Sequence, residues 1–514
     1  MDTSTLDPRR WWALGALVAS MLTLGFDMTI LNVALPTMAA DLGATTGQQQ
    51  WMADAYVVVF AALMLPAGLL GDRFGRRLML ITGLGIFLAG SLVGALAGDV
   101  SAVIAARAVM GVGAALVTPL ALSVLPSLFG ADERAKAVGI VSAASALGLP
   151  LGPIIGGWLL NHFWWGSVFL VNVPMAAVGI AACVFLLPET RDPASPKVDT
   201  VATALTATGL GTLVYGIIEA PVRGWADPLV LAALAAAVVL ITALVLRERR
   251  AERPMLDMTL LTHRGFLFNT IAATLVMFVL TGLLFVLPPY LQAVLGHDAF
   301  GTGVRLLPMM GGILVASRTA PQAAARFGGR ATVSAGLVVL AFAALLGSRT
   351  TIDSGYGFTA LWLAITGLGF GFSLMPAMSN ALGTLPRDRA ASGSGLLMTL
   401  RQVGGAIGIA LLGSLLAATF RDRLDVTGLP ARVADTAGES VVAAHTVAKK
   451  TGSADLLTSA NSAYVHGMGV VLLVCGIAAI VAALLAAAFL PGTRKADDAA
   501  DAPDMAAEQA DARQ

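Results

Sequence analysis

Charge is what this chain has least of. Only 12% of its 514 residues are Asp, Glu, Lys or Arg, against about a quarter in a soluble domain. The signs nearly balance, at net +1, which excludes the basic footprint of a nucleic-acid binder. Cysteine is almost absent. Cys183 and Cys475 stand far apart in apolar runs; they read as small core residues and exclude a CxxC redox or zinc motif. The histidines, His162, His263, His297, His445 and His466, fall near span ends or in loops. They have neither metal-ligand spacing nor a paired nucleophile, so a membrane-embedded enzyme lacks its constellation.

What is present is apolar sequence, 57% of the chain. A spanning helix needs about 20 apolar residues. Fourteen such segments are readable, near 12–36, 50–70, 78–98, 101–125, 136–160, 166–188, 200–220, 229–246, 267–290, 303–324, 331–348, 357–380, 391–418 and 466–490. The expected fold class is an all-α polytopic membrane protein. The first run follows Arg9-Arg10. It is too long for a signal h-region and no small-residue cleavage site follows, so it reads as a retained span. An even count puts both termini on one side, and Arg and Lys make that side the cytoplasm. The cytoplasmic segments hold Arg73, Arg76, Arg77, Arg134, Lys136, Arg191, Lys197, Arg247, Arg249, Arg250 and others, the short outer loops only Arg223 and Arg349. The long outer loop 421–463 escapes that rule and is expected to hold a short amphipathic helix or a mobile lid. The tail, rich in Ala and Asp, reads as disordered.

The chain repeats itself. Ala34-Leu35-Pro36 recurs as Val286-Leu287-Pro288, and Arg73-Phe74-Gly75 as Arg326-Phe327-Gly328. Gly111-Val112-Gly113 before Pro119 recurs as Gly367-Leu368-Gly369 before Pro376. Gly152 and Gly156 recur as Gly404, Gly405 and Gly408. Every offset is near 250 residues. The division that follows is a cytoplasmic N-terminus, 1–11; a six-helix bundle, 12–188; a linker, 189–266, with two inserted helices; a second six-helix bundle, 267–490; and a cytoplasmic tail, 491–514. Parallel repeats of this kind are a transporter architecture, with the site at the midplane between halves.

One carboxylate, Asp27, lies in the middle of the first span. A charge at that depth costs about 2.5–3.5 kcal/mol and marks an ion or substrate pathway. Arg107 lies in span 4 at a depth that differs from that of Asp27 by only about 4–5 Å, at 1.5 Å per residue. Pairing with Arg107 favours the charged carboxylate and burial favours the neutral one, the opposed influences a proton carrier needs. The alternative for Arg107, snorkelling to the outer interface, is disfavoured because the outer side is otherwise nearly free of Arg. Asp54, near the outer end of span 2 beside Trp51 and Tyr56, reads equally as a wet interfacial acid. Met21 and Met28 suit adaptable packing or an ordinary core. Arg401 and Gln402, deep in span 13, suit a cavity wall better than lipid. Arg305 and Arg318 read as snorkelling residues, and Glu219 as interfacial.

Gly68-Leu69-Leu70-Gly71-Asp72-Arg73-Phe74-Gly75-Arg76-Arg77 resembles the signature between the second and third helices of the major facilitator superfamily. That resemblance implies that Asp72, Gly75 and Arg76, with Gly68 and Arg73, form an inner gate latch, made and broken as the halves rock. Asp27-Met28-Thr29-Ile30 with Asn32 and Ala34-Leu35-Pro36 is similar to the first-helix signature of the superfamily's fourteen-helix drug:proton antiporters. Ser145 to Gly157 resembles their fifth-helix antiporter motif. In it Gly148, Gly152 and Gly156 form one smooth face, Gly157 adjoins it and Pro153 invites a bend. Ala105 to Ala114, around Arg107, is similar to the fourth-helix motif, and Trp164 to Pro174 keeps the sixth-helix pattern without its common Trp-Arg-Trp form. The resemblance implies a cation-facing role for Asp54 and makes Arg401-Gln402 a recurrent family feature. Several polyspecific cation exporters carry further acids in the tenth and thirteenth helices; this chain has Arg305, Arg318 and Arg401 there instead. That weakens the case for dicationic substrates.

The expectation is a proton-coupled exporter of amphipathic organic compounds in the cytoplasmic membrane. It has small molecules, protons and the bilayer as partners, no nucleic acid and no cofactor, and it works as a monomer. Proton coupling centres on Asp27 and Arg107. Met28, Asn32, Asp54, Arg401 and Gln402 line the substrate pathway. An exporter dedicated to one metabolite is the alternative on the same fold, and a passive channel conflicts with the repeat.

Overall fold

The computed structural model describes residues 10–129, 131–191, 198–251, 257–385 and 389–490. The tail expected to be disordered, and most of the N-terminal segment, lie outside them. Among the described residues every element is helical. The long helices are α1 (Arg10–Leu42), α2 (Thr46–Phe74), α3 (Arg76–Ala95), α4 (Val100–Ser123), α5 (Ala131–His162), α6 (Asn172–Leu186), α7 (Thr200–Arg223), α8 (Pro228–Arg250), α9 (Arg264–Pro289), α10 (Leu307–Phe327), α11 (Gly329–Gly347), α12 (Tyr356–Gly383), α13 (Ala390–Arg423) and α14 (Ala454–Phe489). By length and composition, thirteen segments among the described residues can cross a membrane. The 32-residue α5 is not one of the thirteen, because several of its side chains lie outside the described residues.

α1 to α6 pack on one another, as do α9 to α14, while α7 and α8 form a hairpin laid against α2 and α13. Apolarity all round explains why most helices bury residues on several faces. Prolines at 36, 66 and 376 sit inside α1, α2 and α12 without ending them, as membrane helices tolerate. Pro288-Pro289 behave differently: the chain widens directly after them into a π-helical turn, Tyr290–Val294.

The sequence repeat has a physical reason. Gly75 and Gly328 each turn the chain between consecutive helices with a positive φ, +118° and +87°, where a side chain is strained. Gly111 admits α2 so closely that a Cβ would lie 2.7 Å from the Tyr56 carbonyl, and Gly113 admits α3, 2.6 Å from the Gly83 carbonyl. Gly367 and Gly369 do the same for α10 and α11, at Met309 and Leu340. One glycine pair per half thus lets a central helix touch two neighbours at once.

The outer loop is folded. It forms the helices Ala431–Gly438 and Val441–Thr451 and is tied to the first bundle, where Thr46 N and Oγ1 donate to the Glu439 carbonyl at 3.2 and 2.8 Å. Side-chain hydrogen bonds between the two bundles gather on the side of this loop. Gln50 Nε2 (α2) donates to the carbonyls of Ile409 and Ala410 at 3.0 and 2.7 Å, and Gln292 Nε2 to that of Val33 at 2.8 Å. Asn161 Nδ2, at the end of α5, donates to Asp298 Oδ2 at 2.5 Å.

Asp298 also caps the short helix Ala299–Arg305 by accepting from Gly301 N at 2.7 Å. The Gly301 amide and then Asn161 hold its carboxyl below the usual carboxylate range. A depressed carboxylate stabilises above its unfolded value and loses that contribution as pH falls through the folded one. Asn161→Ala should therefore raise the population in which α5 and Ala299–Arg305 stand apart about two- to fivefold, the scale of an exposed charged contact. Distances between spin labels on the outer ends of α5 and Ala299–Arg305 read it, and strong acid should mimic the variant. An unchanged distribution in the variant removes the contact from the closure.

Candidate functional site

Four helices of the first bundle meet at Asp27. Its carboxyl is 1% exposed and Arg107 is 2% exposed. Arg107 Nη1 stands 2.5 Å from Asp27 Oδ2, so the arginine turns inward and does not snorkel. Its Nε donates to the Met52 carbonyl at 3.2 Å, and its guanidinium lies over the Tyr56 ring, 4.4 Å from the centroid. From α6, Asn172 Nδ2 donates to Asp27 Oδ1 at 3.0 Å. Both carboxylate oxygens and two guanidinium nitrogens are thereby engaged, which a buried ion pair requires. Asn172 Oδ1 is buried without a partner, so one acceptor beside the carboxylate remains open to a protonated acid.

The antiporter-motif glycines face this same turn. A Cβ on Gly148 would lie 2.5 Å from Gly25 backbone, one on Gly152 would strike Thr29 and one on Gly156 would strike Ile30. Thr29 Oγ1 also donates to the Gly148 carbonyl at 3.2 Å. The smooth face of α5 thus receives the helix that carries Asp27. Gly157 meets Ala299 and Phe300 of the other bundle, and the Pro153 carbonyl meets Gly303 there. α5 continues without interruption past Pro153.

Met28 and Asn32 lie on a half-buried stripe of α1, with Asn32 Nδ2 donating to the Met28 carbonyl at 3.1 Å. Asp54 is fully buried, and both its oxygens lack a partner; the wet interfacial reading is corrected, because α2 turns it into packed protein. Gln402 is buried with Nε2 unpartnered, while Arg401 reaches the Met378 sulfur at 3.2 Å and leaves Nε unpartnered. No carboxylate pairs with Arg401 among the described residues. Arg318 is exposed. Arg305 does not simply snorkel: it donates to the Gly301 carbonyl at 3.1 Å and lies over the Tyr356 ring.

At the C-terminal end of α2, Asp72 pairs with Arg76 at 2.8 Å, inside one bundle. The N-terminus of α3 is capped instead by Glu189, which accepts from the amides of Arg77 and Leu78, each at 3.2 Å. The expected latch is thus a local brace in this conformation, with Gly68 and Gly71 seating α2 on Pro119 and Leu120 of α4 and Arg73 exposed. Sequence reasoning missed the parts played by Asn172, Gln50, Asn161 and Glu189. A polar residue one turn from Asp54 was the available signal for Gln50; Asn172 stood in plain view as an amide inside an apolar span.

Residues 17–409 match the sequence model of the Major Facilitator Superfamily. The tetracenomycin C resistance and export protein of Streptomyces glaucescens is 32% identical over 514 aligned residues, covering 98% of this chain and 95% of that protein. The multidrug efflux pump LfrA of Mycolicibacterium smegmatis is 31% identical, covering 94% and 96%. Among solved structures, a bacterial homologue of the human lysosomal transporter Spinster, inward-facing and unoccupied, superposes with a TM-score of 0.67. It is 19% identical and covers 93% of this chain and 96% of that one.

Proposed function

This chain belongs to the Major Facilitator Superfamily, a family of transporters, and from that premise we propose that it is a proton-coupled antiporter exporting amphipathic organic compounds across the cytoplasmic membrane. In this reading both termini are cytoplasmic, the proton gradient drives transport with no cofactor, and one chain suffices. The observation that carries it is the Asp27–Arg107–Asn172 cluster, an ion pair at 1–2% exposure inside one bundle. Buried ion pairs are costly to build and contribute little stability, so a working role accounts for this one better than a structural role does.

The cycle follows from the groups present. A proton on Asp27 would release Arg107 from the pair, and the protonated acid would donate to the open Asn172 oxygen. Substrate arriving from the cytoplasm or inner leaflet, along the stripe of Met28 and Asn32 and against Arg401 and Gln402, favours the deprotonated, paired state. Rocking of the halves exposes the site outward, and an external proton reloads Asp27. Opening outward must part the Gln50, Asn161 and Gln292 contacts. With one unpartnered acid, Asp54, on the first bundle and Arg401 on the second, the pathway suits neutral, zwitterionic or singly charged compounds better than dications.

Two relatives frame the breadth. One is named for the export of a single antibiotic and the other for multidrug efflux. We favour amphipathic compounds of several scaffolds. Expression in an efflux-deficient host should lower accumulation of several unrelated apolar dyes and antibiotics; protection against one scaffold alone would establish the dedicated exporter instead.

A further inference from the structure

α7 is fastened to the body of the protein at its outer end. Ser414 Oγ donates to the Ile217 carbonyl at 2.9 Å and Arg421 Nη1 to that of Pro221 at 3.2 Å, and Gly47 touches Ile218. Towards the cytoplasmic end the helices diverge. They leave a cavity of about 300 Å³ between Leu63, Pro66 and Leu70 of α2, Leu116 of α4 and Thr203 and Ala207 of α7. Its walls are almost wholly apolar, and they belong to helices long and apolar enough to cross a membrane. Gaps of this size forfeit contacts on every side, and chain ends of the surrounding lipid are the apolar material at hand. The outer face of the hairpin already meets that lipid, with Val238 and Val239 65% exposed.

The rim of the cavity is different. Val198 and Thr200 border it and flank Asp199, which lines a second, shallower depression of about 440 Å³ with Arg247 and Arg250. Asp199 caps α7, accepting from Val201 N and Ala202 N, and holds Arg247 with two hydrogen bonds of 2.8 and 3.0 Å. Arg250 is exposed there, Arg249 is exposed next to it in the last turn of α8, and Arg73 is exposed one turn beyond Leu70. Two arginines, Arg247 and Arg250, thus line the depression with one acid, Asp199, and the exposed Arg249 and Arg73 add positive charge at the same helix ends. All sit on the side of the membrane that the Arg and Lys bias makes cytoplasmic, where anionic headgroups reside and basic pockets between helices hold them.

We propose that this seam is a binding site for an anionic phospholipid of the inner leaflet, one acyl chain filling the apolar cavity and the phosphate lying over Arg249 and Arg250. The lipid would brace the α7–α8 hairpin against the first bundle, independently of the proton site and of whatever is exported.

The test is native mass spectrometry of the purified full chain after mild delipidation, with phosphatidylglycerol or phosphatidylcholine added back. Wild-type protein should retain phosphatidylglycerol several-fold more than phosphatidylcholine, and inorganic phosphate should not compete. R249A/R250A should lose that preference and R249K/R250K should keep most of it. Ala207→Phe, which fills the cavity, should lower retention of both lipids, with folding checked by circular dichroism and gel filtration. Equal retention of the two lipids, competition by phosphate alone, or phosphatidylglycerol retention unchanged in both R249A/R250A and Ala207→Phe would each overturn the proposal.

Discussion

Asp27→Asn should abolish substrate-driven proton movement in vesicles holding the purified protein, and with it the dependence of transport on an imposed pH gradient. One proton per substrate, driven by one pH unit, sustains about a tenfold concentration difference, since about 1.4 kcal/mol is a factor of ten. The variant should sustain none and equilibrate substrate at best. The substitution is nearly isosteric. An amide oxygen still accepts from Arg107 Nη1, which now reaches Asp27 at 2.5 Å, so folding should survive and the loss can be assigned to the proton. Gradient-driven accumulation at the wild-type level in Asp27→Asn would move coupling elsewhere, with the buried Asp54 the next residue to replace.

The second large effect concerns the partner. Arg107→Ala strands a carboxylate at 1% exposure with only Asn172 beside it. Breaking one side of a buried pair destabilises by about 3–5 kcal/mol, and the lost stacking on Tyr56 adds to this. Thermal unfolding in detergent should show a large drop. The informative comparison is the double variant, Asp27→Leu with Arg107→Leu, which removes both charges and should recover most of that stability. Loss of the guanidinium beside Asp27 should also shift the pH dependence of residual transport by Arg107→Ala. A small stability loss, no recovery in the double variant and an unshifted pH profile together would reduce Arg107 to a packing residue.

How much of this was legible before the fold depended on the kind of information involved. Depth along a helix is one-dimensional and follows from hydropathy and a fixed rise per residue. Hence the pairing of Asp27 with Arg107 could be expected from two spans read separately. Azimuth is another matter. Helices apolar on every side carry no stripe to show which face meets which neighbour, and so Asn172, at the start of α6, went unassigned although it donates to Asp27. The inner motif shows the same limit. Its residues were recognisable, yet the chain uses Glu189, 112 residues from Arg77, to cap α3, while Asp72 keeps to its own turn.

By itself the sequence determined the membrane environment, the twofold repeat, the hairpin inserted between the halves and the few charges placed at depth. All of these rest on composition, spacing and offset, which need no neighbour to be read. Only the tertiary structure decided that the glycine face of α5 receives the Asp27 turn of α1, that Asp54 is sealed in protein, that the loop 421–463 folds onto α2, and that Gln50, Asn161 and Gln292 join the two bundles beside that loop. Each of those is a contact between segments distant in sequence. In a chain where nearly every surface is equally apolar, close packing of small residues and the pairing of a few buried polar groups select among the possible contacts, and both are properties of the assembled helices.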